Sequence, residues 1–242
     1  MSLSGSEISI PPNFAGMVRL FPLPNLVLFP GVVQALHIFE PRYRELTSDS
    51  LLDDKLISMS LYRANELALT ETENLVKPRI HSTICVCKIM ASKELPDGRY
   101  NLLVAGVKRA RIIREIDNGK PYREAQVELL EDHTQPDSEQ LGTLREELFS
   151  ICDGSNLMSK LTEHLDLKTI VGSKLPLGLL VDLICFLSNL DCEKRLLILE
   201  LANVEARCRT LIQMLRDGAS TNGNCESPNS IDDEFPPNFS LN

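Results

Sequence analysis

The spacing of apolar residues changes near the middle of the chain, across residues 131–138, and this change constrains the fold most strongly. Before it, short runs of β-branched and apolar residues alternate with turn residues, which is typical of strands. After it, leucines recur at helical spacing, as in Leu141, Leu144 and Leu148. The segment between the two patterns is polar and contains Pro136. The chain is therefore predicted to be α+β, with a β-rich unit followed by a helical unit.

A β-hairpin is the clearest local prediction in the first half. The run 80–92 is rich in apolar and β-branched residues, Pro96-Asp97-Gly98 supplies a turn, and 99–107 returns. Proline presets φ at the entry of a turn, and Gly98 can adopt the positive φ that a tight reversal needs. Further strands are predicted at 17–21, 26–29, 56–62, 109–116 and 123–130, and a helix that starts with proline at 41–52.

The helices predicted in the second half have recognisable starts. Asp191 and Asn203 are short polar residues that suit the N-cap position of the helices that follow them. The apolar run 175–187 is interrupted by Asp182 and is too short to span a bilayer, so it predicts a buried helix. The final helix carries an apolar stripe formed by Val204, Cys208, Leu211, Ile212 and Leu215.

Composition divides the chain into four parts. Residues 1–15 are predicted to be a flexible N-terminus, 16–132 a β-rich domain, 137–216 a helical domain, and 217–242 a disordered tail. The tail contains acidic residues but no Lys or Arg, and it is rich in Gly, Ser, Asn and Pro. Such a composition cannot bury enough apolar surface to order the backbone.

One tetrapeptide, Pro-Pro-Asn-Phe, occurs twice, at 11–14 and at 236–239. Both copies lie in segments predicted to lack regular structure. Chance is the simplest explanation for a four-residue repeat in ends of low complexity. The alternative is a short terminus that docks on a sheet edge, although most termini stay loose unless something holds them.

Charge and cysteine usage narrow the class of protein. The formal net charge is -9, from 34 acidic and 25 basic residues, whereas phosphate-binding proteins are usually basic, so nucleic acid is disfavoured as a partner. Seven scattered cysteines indicate reduced thiols rather than a disulfide framework, and with no secretory signal or membrane span we expect a cytoplasmic protein. The one local basic cluster consists of Lys108, Arg109, Arg111 and Arg114.

Catalytic and metal-binding motifs were sought and not found. The P-loop, the dinucleotide fingerprint and the Gly-x-Ser-x-Gly elbow are all missing, so no nucleotide cofactor and no catalytic residue is predicted. Cys85-Val86-Cys87, with His81 four residues before it, is the only cluster that resembles a metal site. It lacks a second pair of ligands, which favours strand packing over zinc.

Three segments carry a resemblance to a known family. They are FPLPNLVLFPG at 21–31, HIFEPRYR at 37–44 and LPDGRYNLLVAGVKRARI at 95–112. In this order and spacing they resemble the N-terminal, substrate-binding domain of Lon proteases, and the likeness extends over about 17–216. The resemblance implies a PUA-like pseudo-barrel with one or two helices, followed by a helical bundle. It also implies a free-standing form of the domain, without the ATPase and peptidase modules.

The same resemblance implies a non-catalytic module that binds unfolded or degron-bearing polypeptides, with a protease or chaperone as a further partner. Tyr43 is expected to present a flat contact surface, and Glu40 to pair with Arg44 one helical turn along. Phe29 and Phe39 are expected in the core, where phenylalanine is usually found. The candidate contact residues are Glu40, Arg42, Tyr43 and Arg44.

Alternatives to this reading stay open. Peptide could bind by strand addition at a sheet edge or in an apolar groove between the two domains. PUA-like folds often bind RNA, and that reading requires the four basic residues of the cluster to converge on one patch. A hydrolase of unknown type is the third possibility.

Overall fold

The computed structural model describes residues 9–63, 78–134, 138–153, 157–164 and 175–219. It divides into two compact units, the first ending at Leu130 and the second starting at Glu131. The described part of the first unit holds six strands and one helix, and that of the second holds five helices. The predicted α+β class, with a β-rich unit before a helical one, is confirmed.

The strands of the first unit form one sheet that closes on itself. The elements are β1 (Met17–Leu23), β2 (Val33–Ile38), α1 (Pro41–Leu52), β3 (Leu56–Leu61), β4 (Thr83–Glu94), β5 (Tyr100–Ile116) and β6 (Arg123–Leu130). The strand order is β2-β5-β4-β3-β1-β6, and β6 also pairs with β5. Five strands therefore make a closed ring, which corresponds to the predicted pseudo-barrel, while β2 is an addition beside β5.

The length of β5 allows this arrangement. Its first part, 100–105, pairs with β2, and its second part, 109–116, pairs with β6. The register shifts in the β4–β5 pairing and again between Ile112 and Arg114 in the β5–β6 pairing. Such bulges bend a strand and increase its twist, which suits a sheet that curves into a ring.

The hairpin and α1 predictions are confirmed. Gly98 has φ of +76° and donates its amide to the Leu95 carbonyl at 2.9 Å, while Leu95 donates to the Arg99 carbonyl at 2.8 Å. The helix α1 runs over the predicted residues and has Pro41 in its first turn. Proline fits there because the first amides of a helix have no partner within the helix.

The predicted strand at 26–29 is wrong, although these residues are buried. The segment packs instead against Gly106 of β5, where an added Cβ would lie 2.0 Å from the Phe29 carbonyl oxygen. Gly31 donates to the Gly106 carbonyl at 2.9 Å, and Gly106 donates to the Val32 carbonyl at 2.8 Å. Prolines on both sides limit ladder bonding, so the residues are held by this close approach.

The described part of the segment that precedes β1 begins at residue 9. Ile10 and Phe14 pack against the barrel core. The N-terminus predicted to be flexible, 1–15, therefore includes two residues with apolar contacts, and its first eight residues lie outside the described part of the chain. The buried residues of this core are Val18, Leu20, Leu56, Tyr62, Ile80, Ile84, Val86, Ala110, Ala125 and Val127.

The second unit contains α2 (Ser138–Asp153), α3 (Leu157–His164), α4 (Leu177–Leu187), α5 (Cys192–Glu200) and α6 (Val204–Ala219). The predicted N-caps are confirmed, because Asp191 accepts from the Lys194 amide and Asn203 from the Ala206 amide, both at 2.8 Å. The tail predicted from residue 217 begins within α6, and 220–242 lies outside the described residues.

The second unit contains a charge network around a buried arginine. Arg207 of α6 is fully buried and donates to Asp132 at 3.0 Å and to the Leu201 carbonyl at 3.1 Å. Its Nε lies 3.5 Å from a carboxylate oxygen of Asp182, the charge that interrupts the apolar run of α4. No helix in the described ranges combines the length and the apolar character needed to cross a membrane.

Candidate functional site

One edge of β2 has no strand partner in the part of the chain that the structure describes. Gly106 donates to the Val32 carbonyl, which places Val32 in a bonded position of the β2–β5 ladder. In an antiparallel pair the bonded positions alternate, so the backbone groups of Val33, Ala35 and His37 point away from β5. This leaves a row of backbone donors and acceptors directed away from the barrel.

The same alternation decides where the side chains point. Leu36 and Ile38 are buried, whereas Val33 is 51% exposed and Phe39, which follows the strand, is 61% exposed. The unpaired backbone is thus flanked by two exposed apolar side chains. We refer to Val33, Ala35, His37 and Phe39 as the β2 edge.

Side-chain contacts give the β2 edge a defined shape. His37 lies with Nδ1 2.7 Å from Asn101 Oδ1 and Nε2 3.2 Å from an Arg99 guanidinium nitrogen. Because arginine can only donate, Nε2 accepts, and the Nδ1 hydrogen goes to the amide oxygen of Asn101. The His37 and Phe39 rings are stacked, with centroids 6.3 Å apart.

Arg99 is itself oriented by Asp97 of the hairpin turn. The guanidinium Nε donates to the Asp97 carboxylate at 2.6 Å, and the Arg99 backbone amide donates to it at 3.1 Å. The backbone hydrogen bond, helped by the guanidinium, holds the pKa of Asp97 below its usual value of 3.8. The turn and the β2 edge are therefore linked through a charged pair that persists at neutral pH.

Tyr43 does not lie at the surface. It is 4% exposed, its hydroxyl donates to the Pro22 carbonyl at 3.2 Å, and its ring lies 4.3 Å from that of Phe21. Burial raises the pKa of Tyr43 above its usual value. The Arg42 guanidinium also lies over the Tyr43 ring, 4.5 Å from its centroid. The expectation of a flat exposed contact at Tyr43 is therefore wrong, because the ring fixes α1 against β1.

The other three predicted contacts lie at the start of α1. Glu40 pairs with Arg42 at 2.7 Å, so the expected pairing with Arg44 is wrong. Arg44 lies beside the hairpin turn, since a Cβ placed on Gly98 would be 2.1 Å from Nη2 of Arg44. A cleft of about 430 Å³ opens there, and it is lined by Pro41, Arg44, Glu45, Ser48, Glu94, Gly98 and Tyr100.

The two phenylalanines expected in the core differ in burial. Phe29 is fully buried, as predicted, whereas the prediction for Phe39 is wrong. The sequence reasoning also missed Val33 and Ala35, because 33–38 was not recognised as a strand. The signal was present in the alternation that buries Leu36 and Ile38, which share one face.

The four basic residues do not form one exposed patch. Arg109 is 2% exposed, so it is not available to a phosphate group, and the prediction of a patch that includes it is wrong. Lys108 is partly buried, while Arg111 and Arg114 are exposed. Arg114 donates to Gln126 of the neighbouring strand at 3.0 Å.

The buried cysteines that the structure describes show no sign of activation. Cys85 and Cys87 are fully buried within β4, and burial raises the pKa of the Cys87 thiol. Burial also raises the pKa of Cys152 to about 11 and that of Cys208 to about 12. Thiols in such surroundings stay protonated at neutral pH. In the described part of the chain, no three His, Cys, Asp or Glu side chains meet in a metal-binding arrangement.

Comparison with known proteins identifies the fold described above. The sequence profile of the ATP-dependent protease La (LON) substrate-binding domain matches residues 17–217. The chain belongs to this family. It is 26% identical to the Lon protease of Dictyoglomus thermophilum over 209 residues, which covers 86% of this chain and 25% of that protease. The chain thus spans about a quarter of the length of this relative.

Two solved structures show the same fold. The Lon N-terminal domain protein from Xanthomonas campestris has a TM-score of 0.54 at 19% identity, covering 81% of this chain and 97% of that one. The N-terminal domain of the Mycobacterium avium complex Lon protease has a TM-score of 0.62 at 16% identity, with coverage of 83% and 98%.

The segments that carry the likeness to the LON family lie against each other in the barrel. The loop that follows 21–29 is joined to 95–112 through the two hydrogen bonds between Gly106 and the residues Gly31 and Val32. These hydrogen bonds hold the two segments side by side in the barrel. Val33 and Ala35 of the β2 edge lie between the first segment and the segment 37–44, whereas His37 and Phe39 belong to 37–44.

Proposed function

We propose that this chain is a non-catalytic polypeptide-binding module that holds extended segments of unfolded or degron-bearing proteins along the β2 edge. The observation that carries the proposal is the row of outward backbone groups at Val33, Ala35 and His37, bordered by exposed Val33 and Phe39. An exposed strand edge can pair with an incoming extended chain through main-chain hydrogen bonds. Membership of the LON substrate-binding family supports this choice over other ligands.

The chemistry of the β2 edge favours clients that are unfolded rather than one defined sequence. Main-chain hydrogen bonds do not depend on side-chain identity, so they supply affinity for any extended segment. Val33 and Phe39 would select apolar side chains on one face of the incoming strand, where residues repeat every second position. The Ala35 carbonyl accepts at 2.8 Å from the Gln34 side chain, which must swing aside when a strand is added.

The residues at the start of α1 serve as the second part of the proposed surface. Tyr100 pairs with Ile38 of β2 and also lines the cleft beside α1, so the cleft adjoins the strand. In this arrangement Glu40, Arg42 and Arg44 would contact polar or charged groups that follow the paired segment. Tyr43 would act only by positioning the helix.

The proposed module carries out no chemistry itself and would hand its clients to a protease or chaperone in the cytoplasm. Buried, protonated cysteines and the lack of a nucleotide-binding motif support binding without turnover. An ATP-dependent protease would instead degrade casein when supplied with ATP, and a turnover assay checks this directly.

The test is fluorescence anisotropy of fluorescein-labelled casein titrated with the protein at physiological salt. The Val33→Lys and Phe39→Ser variants should each weaken binding at least fivefold, because one places a charge on the edge and the other removes an aromatic contact. The matched controls are Ile113→Lys and Leu52→Ser, which change residues that are 60% and 85% exposed elsewhere in the same unit. Equal loss in test and control variants would contradict the proposal.

Single-stranded RNA added to the same titration distinguishes polypeptide binding from the second candidate function, RNA binding. The proposal expects casein to stay bound in excess RNA, because Arg109 is buried and the net charge is negative. Displacement that Arg111→Ala or Arg114→Ala abolishes would favour an RNA-binding protein instead.

A further inference from the structure

The first copy of Pro-Pro-Asn-Phe is seated at one end of the barrel. Its flanking residue Ile10 and its last residue Phe14 pack against the core cluster, and Pro12 and Asn13 between them are exposed. The Phe14 amide donates to the Pro11 carbonyl at 3.0 Å, which closes a four-residue turn. The segment is thus a turn with one apolar anchor on each side.

The tetrapeptide itself encodes this turn. Pro12 occupies the second turn position, where its fixed φ is favourable, and Asn13 occupies the third, where asparagine is common. The second copy has the same turn-favouring residues in the same order, Pro237 followed by Asn238.

The second copy also reproduces the anchors. Phe235 precedes it in the place of Ile10, and Phe239 ends it in the place of Phe14. Both copies therefore read apolar-Pro-Pro-Asn-Phe, followed by a small residue, Ala15 in one and serine in the other. The match covers the residues that contact the core and also those that shape the turn.

The first copy makes few contacts that would prevent another segment from replacing it. Apart from its internal turn, 10–15 makes no hydrogen bond to the rest of the described chain. Cavities of about 220 Å³ and 630 Å³ flank it, and both are lined by Pro11, Asn13, Asp53 and Asp54. For the segment to leave, the packing of Ile10 and Phe14 against the core cluster must be broken.

We propose that this end of the barrel is a binding site for apolar-Pro-Pro-Asn-Phe peptides and that the chain's own residues 235–239 compete for it with Ile10–Phe14. The link between Ala219 and the second copy, residues 220–234, spans up to about 50 Å when extended. Because both copies belong to one molecule, the local concentration of the competitor is high. The site is separate from the β2 edge and does not depend on the function proposed for it.

Photocrosslinking of the full chain tests the exchange. Benzoylphenylalanine replaces Phe239, the protein is irradiated, and peptides are mapped by mass spectrometry. Crosslinks should reach Met17 and Met90, which line the two cavities. Their yield should rise at least threefold in a Phe14→Ala background, where the competing copy is weakened. A probe at Ser230, outside the repeat, is the matched control and should give no such rise.

Two results would overturn the proposal. One is a yield at these methionines that equals the yield from the control position or does not respond to Phe14→Ala. The other is crosslinking only between two molecules, seen as a dimer band, which would reject competition within one chain.

Thermal unfolding tests the same competition in a way that remains informative if Phe14→Ala destabilises the barrel. The unfolding midpoint is followed by tyrosine fluorescence for Phe14→Ala, Phe239→Ala and the double variant. If either copy can fill the site, the double variant should lose at least about 3 °C more than the two single losses together. A double variant that matches Phe14→Ala alone would show that the second copy does not dock.

Discussion

Replacing Gly106 with alanine should strongly destabilise the barrel. An added Cβ would lie 2.0 Å from the Phe29 carbonyl oxygen, 2.8 Å from its carbonyl carbon and 3.0 Å from the Cys85 sulfur. The nearest atoms belong to the backbone, so no side-chain rotation can relieve the overlap. The loop that contains the fully buried Phe29 must therefore move away from β5.

The size of the effect follows from what this movement breaks. Two backbone hydrogen bonds join Gly106 to Gly31 and Val32, at 2.9 and 2.8 Å, and each contributes about 1 kcal/mol net. Forcing extra volume into a packed core adds about 1–3 kcal/mol. We therefore expect Gly106→Ala to lower the free energy of unfolding of the first unit by about 3–5 kcal/mol.

Tyrosine fluorescence during urea unfolding measures this unit selectively. The four tyrosines, at positions 43, 62, 100 and 122, all lie in the first unit. With a slope of about 2 kcal/mol per molar urea, the midpoint should fall by about 1.5–2.5 M. Gly142→Ala is the matched control, because nothing lies within 4 Å of its added Cβ and alanine favours the α2 helix.

The reasoning would be refuted by a midpoint that falls by less than about 0.3 M, which corresponds to well under 1 kcal/mol. Such a result would mean that the Phe29 loop relaxes at little expense. A crystal structure of the variant with the loop hydrogen bonds intact would lead to the same conclusion.

Three further changes test other parts of the structure. The Lys120 ammonium, 2.8 Å from Asp49, holds the pKa of that carboxyl below its usual value, so the contribution of the pair to stability is present at neutral pH and is lost as pH falls through the lowered pKa. Asp49→Asn should therefore lower the urea midpoint slightly at pH 7, and this difference should shrink as the pH falls through that lowered pKa. Arg207→Ala removes the guanidinium beside the buried Asp182 carboxylate and should lower the free energy of unfolding by about 3–5 kcal/mol, followed by circular dichroism at 222 nm, whereas Arg209→Ala should have little effect. Tyr43→Phe should lower the free energy of unfolding, measured by tyrosine fluorescence in urea, by about 1 kcal/mol yet leave casein affinity within twofold.

Features that depend on neighbouring residues were predictable from the sequence. The turn at Gly98, the start of α1 at Pro41 and the caps Asp191 and Asn203 each depend on residues within a few positions. The closure of the ring was not predictable from residue patterns. It pairs Leu20 with Arg123, and no local signal specifies such a partner.

The candidate site shows where pattern reasoning fails. Between Ile38 and Pro41 the chain passes from a strand to a helix, so the period of the buried side changes from 2 to 3.6. Phe39 and Tyr43 were consequently assigned to the wrong sides. Their true positions depend on the register of β2 against β5 and on the packing of α1 against β1, which only the folded structure provides.

The pairing of β1 with β6 also sets the order in which the barrel can form. β1 emerges from the ribosome about 100 residues before β6, which at ~5–20 residues per second means about 5–20 s. Until β6 arrives, the edge of β1 and the far part of β5 both lack the strand that later covers them. A protein proposed to capture exposed strands therefore passes, during its own synthesis, through a state that other copies could capture.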